Sequence, residues 1–403
     1  MKYSIVTFGC RVNQADSLAL ESDLRARGGI NASPSDADLV IVNTCSVTAS
    51  ADQGARQTIR RVARDNPDVQ IVVTGCYATR RAHEVSQLPN VIRVVPNRAK
   101  DALVQDLALA DGKFVDGTGP CGALLTPGVA GRTAFTLRVQ TGCDERCSYC
   151  IIPTTRGPGR SRPLAEVISE IQRAVAAGYK EIAITGVHLG SYGRDIGDVS
   201  LEMLVAALAS WPDDVLFRIS SLEPMDCSAR IVDLVAGSPR LAPHFHLPLQ
   251  HGSDAILRVM RRPYSVSGYV ELVERIASSM PHASIGTDLI VGFPGESELH
   301  FESTRTVLSR LPLSHVHVFP YSDRPGTAAS ARDDKVSGSI IRARGAILRD
   351  IGAQLSREFR QRQHGTSRRA LTVDDGWSAV TDNYVKVRLP EQQARNEWTV
   401  VTL

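Results

Sequence analysis

Apolar and polar positions alternate along this chain in a repeating strand–helix rhythm. Tyr3–Phe8 is a short β-rich run. Ala15–Arg27 then carries Leu18, Leu20 and Leu24 at helical spacing, and Gly28-Gly29 ends it. Leu39–Val42 reads as a buried strand, and Asp52–Arg64 as a polar, Arg-rich helix that stops before Pro67. Ile71–Val73 and Val91–Val95 are two more strands. Such alternation predicts βαβ units and a parallel sheet. Residues 111–132 are rich in Gly, Pro and Thr and read as a linker.

Beyond that stretch the rhythm restarts with Phe135–Gln140. The helix–strand pairs are Leu164–Ala177 with Glu181–Thr185, Leu201–Ser210 with Val215–Ile219, and Ala229–Val235 with Phe245–Leu249. Val266–Ser279 with Ala283–Val291, and Glu298–Leu308 with His315–Phe319, complete the series. Such a run of β/α repeats suggests a full or partial barrel, although periodicity alone does not separate that from a doubly wound sheet. Residues 337–363 form a long Arg-rich helical stretch. Arg369–Val373, Tyr384–Leu389 and Trp398–Thr402 then alternate like short strands, which suggests a small all-β module.

Composition narrows the class. The 403 residues are 43% hydrophobic and 22% charged, which excludes a disordered chain or a disulfide-stapled scaffold. The formal net charge of +3 does not by itself mark a nucleic-acid binder. Arg outnumbers Lys by 40 to 6, a bias that coding composition alone can produce. Between Ile340 and Ala370 eight Arg face two acidic residues, a stretch suited to a phosphate backbone and equally to a solvated helix face. No apolar run has the length of a membrane span, and Met1–Val6 enters a strand-like run without a signal-peptide core. A cytoplasmic location with no membrane partner is therefore expected.

The eight cysteines change the picture most. Cys143, Cys147 and Cys150 form a C-x3-C-x2-C motif. Thiolates are soft ligands suited to zinc or iron–sulfur clusters. Structural zinc usually takes four protein ligands, whereas this motif supplies three. Three thiolates on a four-iron cluster leave one iron open to a small molecule; a zinc knuckle completed by a distant residue is the alternative. Cys10, Cys45 and Cys76 each fall just past a predicted strand, at the rim where open α/β sheets bind ligands. They could meet in space, or be three buried thiols in turns. Cys121 and Cys227 have no motif around them. His188, His244, His246, His315 and His317 lie near strand ends and read as packing or hydrogen-bonding residues rather than ligands.

The C-x3-C-x2-C loop after a first barrel strand resembles the radical S-adenosylmethionine superfamily. The whole chain resembles its methylthiotransferase branch. Thr7-Phe8-Gly9-Cys10-Arg11-Val12-Asn13-Gln14, Asn43-Thr44-Cys45-Ser46-Val47-Thr48 and Thr74-Gly75-Cys76-Tyr77-Ala78 are similar to its three N-terminal motifs. Ile151-Ile152-Pro153, Arg156–Arg162, Thr185–Gly190, Ser220–Pro224, His246–Gln250, Asp288–Glu296 and Val318–Thr327 are similar to its barrel motifs. Arg11 stands where Lys is usual, and His251 interrupts a usual Gln-Ser-Gly-Ser run.

The resemblance implies a flavodoxin-like N-terminal parallel sheet, a central open β/α barrel and a small C-terminal all-β module for RNA. The corresponding divisions are 1–112, a linker at 113–132, a barrel at 133–336, a basic helical connector at 337–364 and a short β-domain at 365–403. It implies two [4Fe-4S] clusters, one on Cys143, Cys147 and Cys150 and a second on Cys10, Cys45 and Cys76. S-adenosyl-L-methionine would bind the open iron of the first, with Glu223 and Gln250 as contacts and Gly186 and Gly292 allowing close backbone approach. Its cleavage would give a radical that removes hydrogen from adenosine C2. The second cluster would present sulfur, and a second S-adenosylmethionine the methyl group. Partners would be the anticodon loop of tRNA, an external one-electron donor and a sulfur source. The motifs lean to the branch acting on N6-threonylcarbamoyladenosine at position 37. The alternatives are N6-isopentenyladenosine-37, an aspartate of a ribosomal protein, and a non-enzymatic electron carrier or RNA-binding sensor.

Overall fold

The computed structural model of the chain describes residues 1–111, 127 and 133–403. The divisions between residues 112 and 132, and Cys121, lie outside the described residues. The chain separates into two compact units. The first comprises Met1–Leu125, Thr141–Glu145 and Cys150–Gly159, and the second Thr126–Gln140, Arg146–Tyr149 and Arg160–Leu403.

The first unit is one parallel sheet with helices on both faces. Its elements are β1 (Lys2–Thr7), α1 (Arg11–Ala26), β2 (Ile30–Asn31), β3 (Leu39–Thr44), α2 (Ala49–Asp65) and β4 (Gln70–Gly75). Then come α3 (Cys76–Arg80), α4 (Ala82–Ser86), β5 (Val91–Val95), a 3-10 turn at Asn97–Ala102, and α5 (Leu103–Asp111). The strand order is β2-β1-β3-β4-β5, the flavodoxin-like order, whose switch point lies between β1 and β3. Both faces are buried, so the strands read as unbroken apolar runs. Val40, Val42, Ile71 and Val73 pack with Ile59 and Val62 of α2. Leu39, Ile41 and Val72 pack on the other face with Leu20 and Leu24 of α1 and Leu103 and Leu107 of α5.

The second unit begins with β6 (Phe135–Thr141), although Thr141 itself, like the short α6 (Ile152–Arg156), groups with the first. The series continues through β7 (Arg160–Ser161), α7 (Leu164–Ala176), β8 (Glu181–Gly186), α8 (Leu201–Ala209), β9 (Leu216–Ile219) and α9 (Ala229–Gly237). It ends with β10 (His244–His246), α10 (Asp254–Val259), α11 (Val266–Ser279), β11 (Ser284–Val291), α12 (Glu298–Arg310) and β12 (His315–Pro320). One sheet runs β7-β6-β8-β9 and another β10-β11-β12; a parallel bridge from Phe217 to Leu241 joins β9 to the chain entering β10. Six parallel strands in chain order, β6, β8, β9, β10, β11 and β12, form the partial barrel expected from the repeats.

One expectation changes. The sequence predicts a strand over Phe245–Leu249, but β10 spans only His244–His246. Pro248 has no N–H to donate to a ladder, and Gln250 has φ of 66°. The basic stretch, expected as a helical connector, forms α13 (Gly338–Arg362), which packs against β12. Gly352 lies against Val316, and Leu348, Leu355 and Phe359 are buried.

The C-terminal module is an antiparallel sheet of β13 (Ser367–Val373), β14 (Ser378–Thr381), β15 (Lys386–Arg388) and β16 (Trp398–Thr402), in the order β15-β14-β13-β16. It contacts the barrel through Arg218 of β9. Arg218 is 1% exposed and is held by Glu181 at 3.0 Å, by the Asp382 carbonyl at 3.0 Å, and 4.7 Å from the Tyr384 ring centre.

Candidate metal and cofactor sites

In the first unit, Cys10, Cys45 and Cys76 follow β1, β3 and β4, three adjacent strands. Cys10 caps α1, Cys45 begins the turn after β3, and Cys76 opens α3. Two glycines shape this rim. Gly9, at φ 94°, lies so close to Cys45 that a Cβ there would come within 2.6 Å of its sulfur. Gly75, at φ 99°, lies against the Thr44 backbone, where a Cβ would meet the carbonyl oxygen at 2.2 Å. Burial pushes the Cys45 thiol up to about 11, and the nearby Cys10 and Cys76 add to the rise, so the three sulfurs feel one another. Val47 N donates to the Cys45 sulfur at 3.5 Å and Asn97 Nδ2 to that of Cys76 at 3.6 Å.

Beneath the thiols lies a buried polar network. Arg156 donates to Asn13 Oδ1 at 2.5 Å and to Asp16 Oδ2 at 3.0 Å. Lys100 donates to the same Asp16 oxygen at 2.8 Å and to Asn43 Oδ1 at 3.0 Å. The side chains of Lys100, Asp16 and Arg156 are at most 2% exposed. Arg156 Nε is buried and has no hydrogen-bond partner. Three adjacent thiols, soft donors once deprotonated, beside a buried arginine with one N–H left without a partner fit a thiolate-bound iron–sulfur group.

Cys143, Cys147 and Cys150 lie on the loop after β6, all half-buried. Gly142, at φ 73°, allows the loop to turn; a Cβ there would meet the Pro158 carbonyl oxygen at 1.8 Å. Cys143 N donates to Gly157 O at 3.1 Å, and Ile152 N to the Cys150 sulfur at 3.4 Å. In the second unit, Arg262 Nη1 donates to the Cys147 sulfur at 2.9 Å. Arg262 also forms an ion pair with Glu223 and lies 5.1 Å from the Tyr264 ring centre. Burial opposes its charge, but Tyr149, Tyr264 and Cys147 together raise its pKa. Ser148 N donates to Met260 O at 3.1 Å, and Ala329 N to Ser148 O at 2.8 Å, which fixes this part of the loop.

The four residues expected to contact S-adenosylmethionine divide. Glu223 pairs with the arginine on Cys147. Gln250 pairs through its backbone with β11, its N–H to Asp288 O at 2.9 Å and its carbonyl from Ile290 N at 2.8 Å. The two glycines also pack closely against the chain itself. A Cβ on Gly292 would meet Ile341 of α13 at 2.2 Å, and one on Gly186 would meet Gln140 and Leu189 at 3.1 Å. The close approach at both is therefore made by the chain's own packing.

Of these histidines, His188, His246 and His315 are hydrogen-bonded, and His244 and His317 make ring contacts, His244 with His315 and Tyr384 and His317 with His246 and His315. His188 bonds Asp226 at 2.7 Å, and His246 bonds Ser221 at 2.7 Å and Asp288 at 3.0 Å. His315 lies over Gly286, where a Cβ would meet its Nε2 at 1.9 Å, and bonds Ser314 through Nδ1 at 3.0 Å. His246, His315 and His317 bring ring nitrogens within 4.8 Å, but both of His246's are already engaged. His251 is fully buried and bonds Glu296 at 3.2 Å, so it stabilises the fold. Among the described residues no helix is long and apolar enough to cross a membrane.

Residues 2–96 match the family described as uncharacterized protein family UPF0004, and residues 137–308 match the radical SAM superfamily. The chain is 36% identical over 401 residues to the threonylcarbamoyladenosine tRNA methylthiotransferase MtaB of Aquifex aeolicus, covering 96% of each chain. It is 37% identical over 345 residues to the tRNA-2-methylthio-N(6)-dimethylallyladenosine synthase of Chloroflexus aurantiacus, covering 82% of this chain and 72% of that one. In fold it is similar to the radical S-adenosylmethionine methyltransferase TsrM of Kitasatospora setae, at a TM-score of 0.58, 15% identity, and 82% and 75% of the two chains. The chain belongs to the radical S-adenosylmethionine methylthiotransferase family, in its threonylcarbamoyladenosine tRNA branch.

Proposed function

We propose that this enzyme adds a methylthio group to C2 of N6-threonylcarbamoyladenosine at position 37 of tRNA. The carrying observation is the extent of its similarity to the Aquifex threonylcarbamoyladenosine enzyme, 96% of both chains, against 72% of the dimethylallyladenosine enzyme. Cys143, Cys147 and Cys150 would hold one [4Fe-4S] cluster, Cys10, Cys45 and Cys76 a second, and S-adenosylmethionine would sit at the first. When bound, these groups supply one-electron cleavage, hydrogen removal at C2, the sulfur and the methyl group.

The chain's own residues position and tune. Arg262 stabilises the Cys147 thiolate by a charge-assisted hydrogen bond, and Glu223 holds Arg262 in place. Met260 and Ala329 clamp the backbone of Ser148, so the loop is set before anything binds. Gln250 lies beside Asp288 with its backbone held, a position from which its amide can orient a ligand. The exposed arginines of α13, Arg342, Arg349, Arg357, Arg360 and Arg362, would meet tRNA phosphates, and the C-terminal module would add a second RNA contact. The anticodon loop suits such an enzyme because its bases are not locked in a duplex. An external electron donor and a sulfur source complete the reaction, in the cytoplasm. The boundaries at residues 112, 132, 336 and 364 are part of this proposal.

Mass spectrometry of tRNA nucleosides from a strain lacking this gene tests the reading. The expected outcome is loss of 2-methylthio-N6-threonylcarbamoyladenosine and accumulation of its precursor. Loss of the isopentenyl counterpart alone would transfer the enzyme to the other tRNA branch. If neither nucleoside changed, tRNA would not be the substrate.

A further inference from the structure

Among the described residues, the network beside Cys10, Cys45 and Cys76 holds one more cationic than anionic side chain. Lys100 and Arg156 are two cations on one carboxylate, Asp16, with all three side chains at most 2% exposed. The other polar groups that bind them, Asn13, Asn43 and Thr141, are neutral. The neighbouring Arg80–Asp52 pair, joined at 2.5 Å and bridged by Ser46, is already neutral in sum. A buried excess of one positive charge is strongly unfavourable unless an anion faces it.

The anion available is the thiol rim. Asn13, which accepts from Arg156, donates to the carbonyl of Thr44, the residue before Cys45, and Asn43 Oδ1, which accepts from Lys100, lies 2.9 Å from the Cβ position of Gly75, the residue before Cys76. Burial lowers the pKa of Lys100, Asp16 opposes that, and Arg156 adds to the lowering. Arg156 Nε, buried without a partner, is an unused donor in the same network. Three thiolates on a [4Fe-4S]2+ core carry a net charge of −1, and its one-electron reduction makes that −2. A fixed cation nearby favours the more negative state, since cluster potentials follow net charge and hydrogen bonding.

We propose that Lys100 and Arg156 form a buried cationic seat that offsets the charge of the cluster on Cys10, Cys45 and Cys76 and raises its reduction potential. Asp16 is the brake on that seat, because it cancels one of the two charges. All three are positioning residues. The proposal rests on the reading that these cysteines hold a [4Fe-4S] cluster.

The test uses the full chain carrying Cys143→Ala, Cys147→Ala and Cys150→Ala, reconstituted anaerobically with iron and sulfide. Iron content and a potentiometric titration followed by electron paramagnetic resonance are the readouts. Arg156→Gln and Lys100→Gln are each expected to lower the midpoint potential, and Asp16→Asn to raise it. Arg156→Lys should stay near the parent. A merely structural role would not give shifts of opposite sign. If Arg156→Gln does not hold iron, Lys100→Gln against Asp16→Asn decides the sign. Unshifted potentials, or shifts in one direction for both charge changes, would remove the seat and leave the cluster reading intact. A parent chain that binds no iron would overturn both.

Discussion

Cys227 illustrates what burial does to one side chain. It is 5% exposed, and burial, followed by the charge of Asp226, pushes its thiol up to about 12. An unfolded thiol ionises near pH ~8.5, so the folded state alone must keep the proton above that pH. The stability this contributes is complete below the unfolded value and is lost as pH rises towards the folded one. Cys227→Ala is therefore expected to lose less stability than the parent between about pH 8.5 and 10.5, measured by urea unfolding of the cluster-free chain. The residue scale also marks the limit of legibility. The six cysteines could be read because their spacing and strand-end positions are local patterns. Asp16, Lys100 and Arg262 could not, because Asp16 meets Arg156 140 residues away, Lys100 meets Asp16 84 residues away and Arg262 meets Cys147 115 residues away. The only signal at Arg262 was a charged pair, Arg261-Arg262, ending an apolar stretch. A glycine carries no sign of what approaches it, so the packing of Ile341 against Gly292 is not legible in the sequence.

The cysteine loop depends on one glycine. At Gly142 a side chain would meet the Pro158 carbonyl in a backbone conformation that itself costs about 1–3 kcal/mol. Gly142→Ala is expected to lose the iron held by Cys143, Cys147 and Cys150 and to keep that held by Cys10, Cys45 and Cys76, so iron per chain falls by about half on elemental analysis. Helix α13 was visible as a basic stretch, but its inner face was not. Arg344 of that helix is 6% exposed and bonds Glu296 at 3.0 Å and Glu298 at 2.8 Å. Only the outward arginines remain for RNA. Arg349→Ala should weaken tRNA binding and reduce the slope of log affinity against log salt by about 1, whereas Arg344→Ala should lower stability instead. The short strands β2 and β14 escaped notice because two and four residues carry little periodicity.

Across the whole molecule, the C-terminal sheet is more than a tail. Arg218 reaches it from inside the barrel, and Tyr384 closes over that guanidinium with a left-handed backbone at φ 69°. Tyr384→Ala is expected to cost about 1 kcal/mol, an interaction typical of a cation on a ring. For a chain of 403 residues that lowers Tm by roughly 1 °C, readable by scanning calorimetry. The order of the β/α repeats was legible throughout. This contact was not, because Arg218 and Tyr384 sit in segments whose local patterns are complete without each other.

Arg156 belongs by sequence to the stretch after the C-x3-C-x2-C motif, yet it bonds Asn13 and Asp16 from 143 and 140 residues away. A recombination point placed between residues 112 and 132 would therefore separate it from its partners. Chimaeras joining the first sheet of one family member to the barrel of another should fold poorly at that junction whenever the donors differ at Asn13, Asp16 or Arg156. Carrying residues 150–159 across with the first sheet should restore soluble expression. The unit of inheritance here is discontinuous, and a breeder of hybrid enzymes would have to cut the gene in three places rather than one.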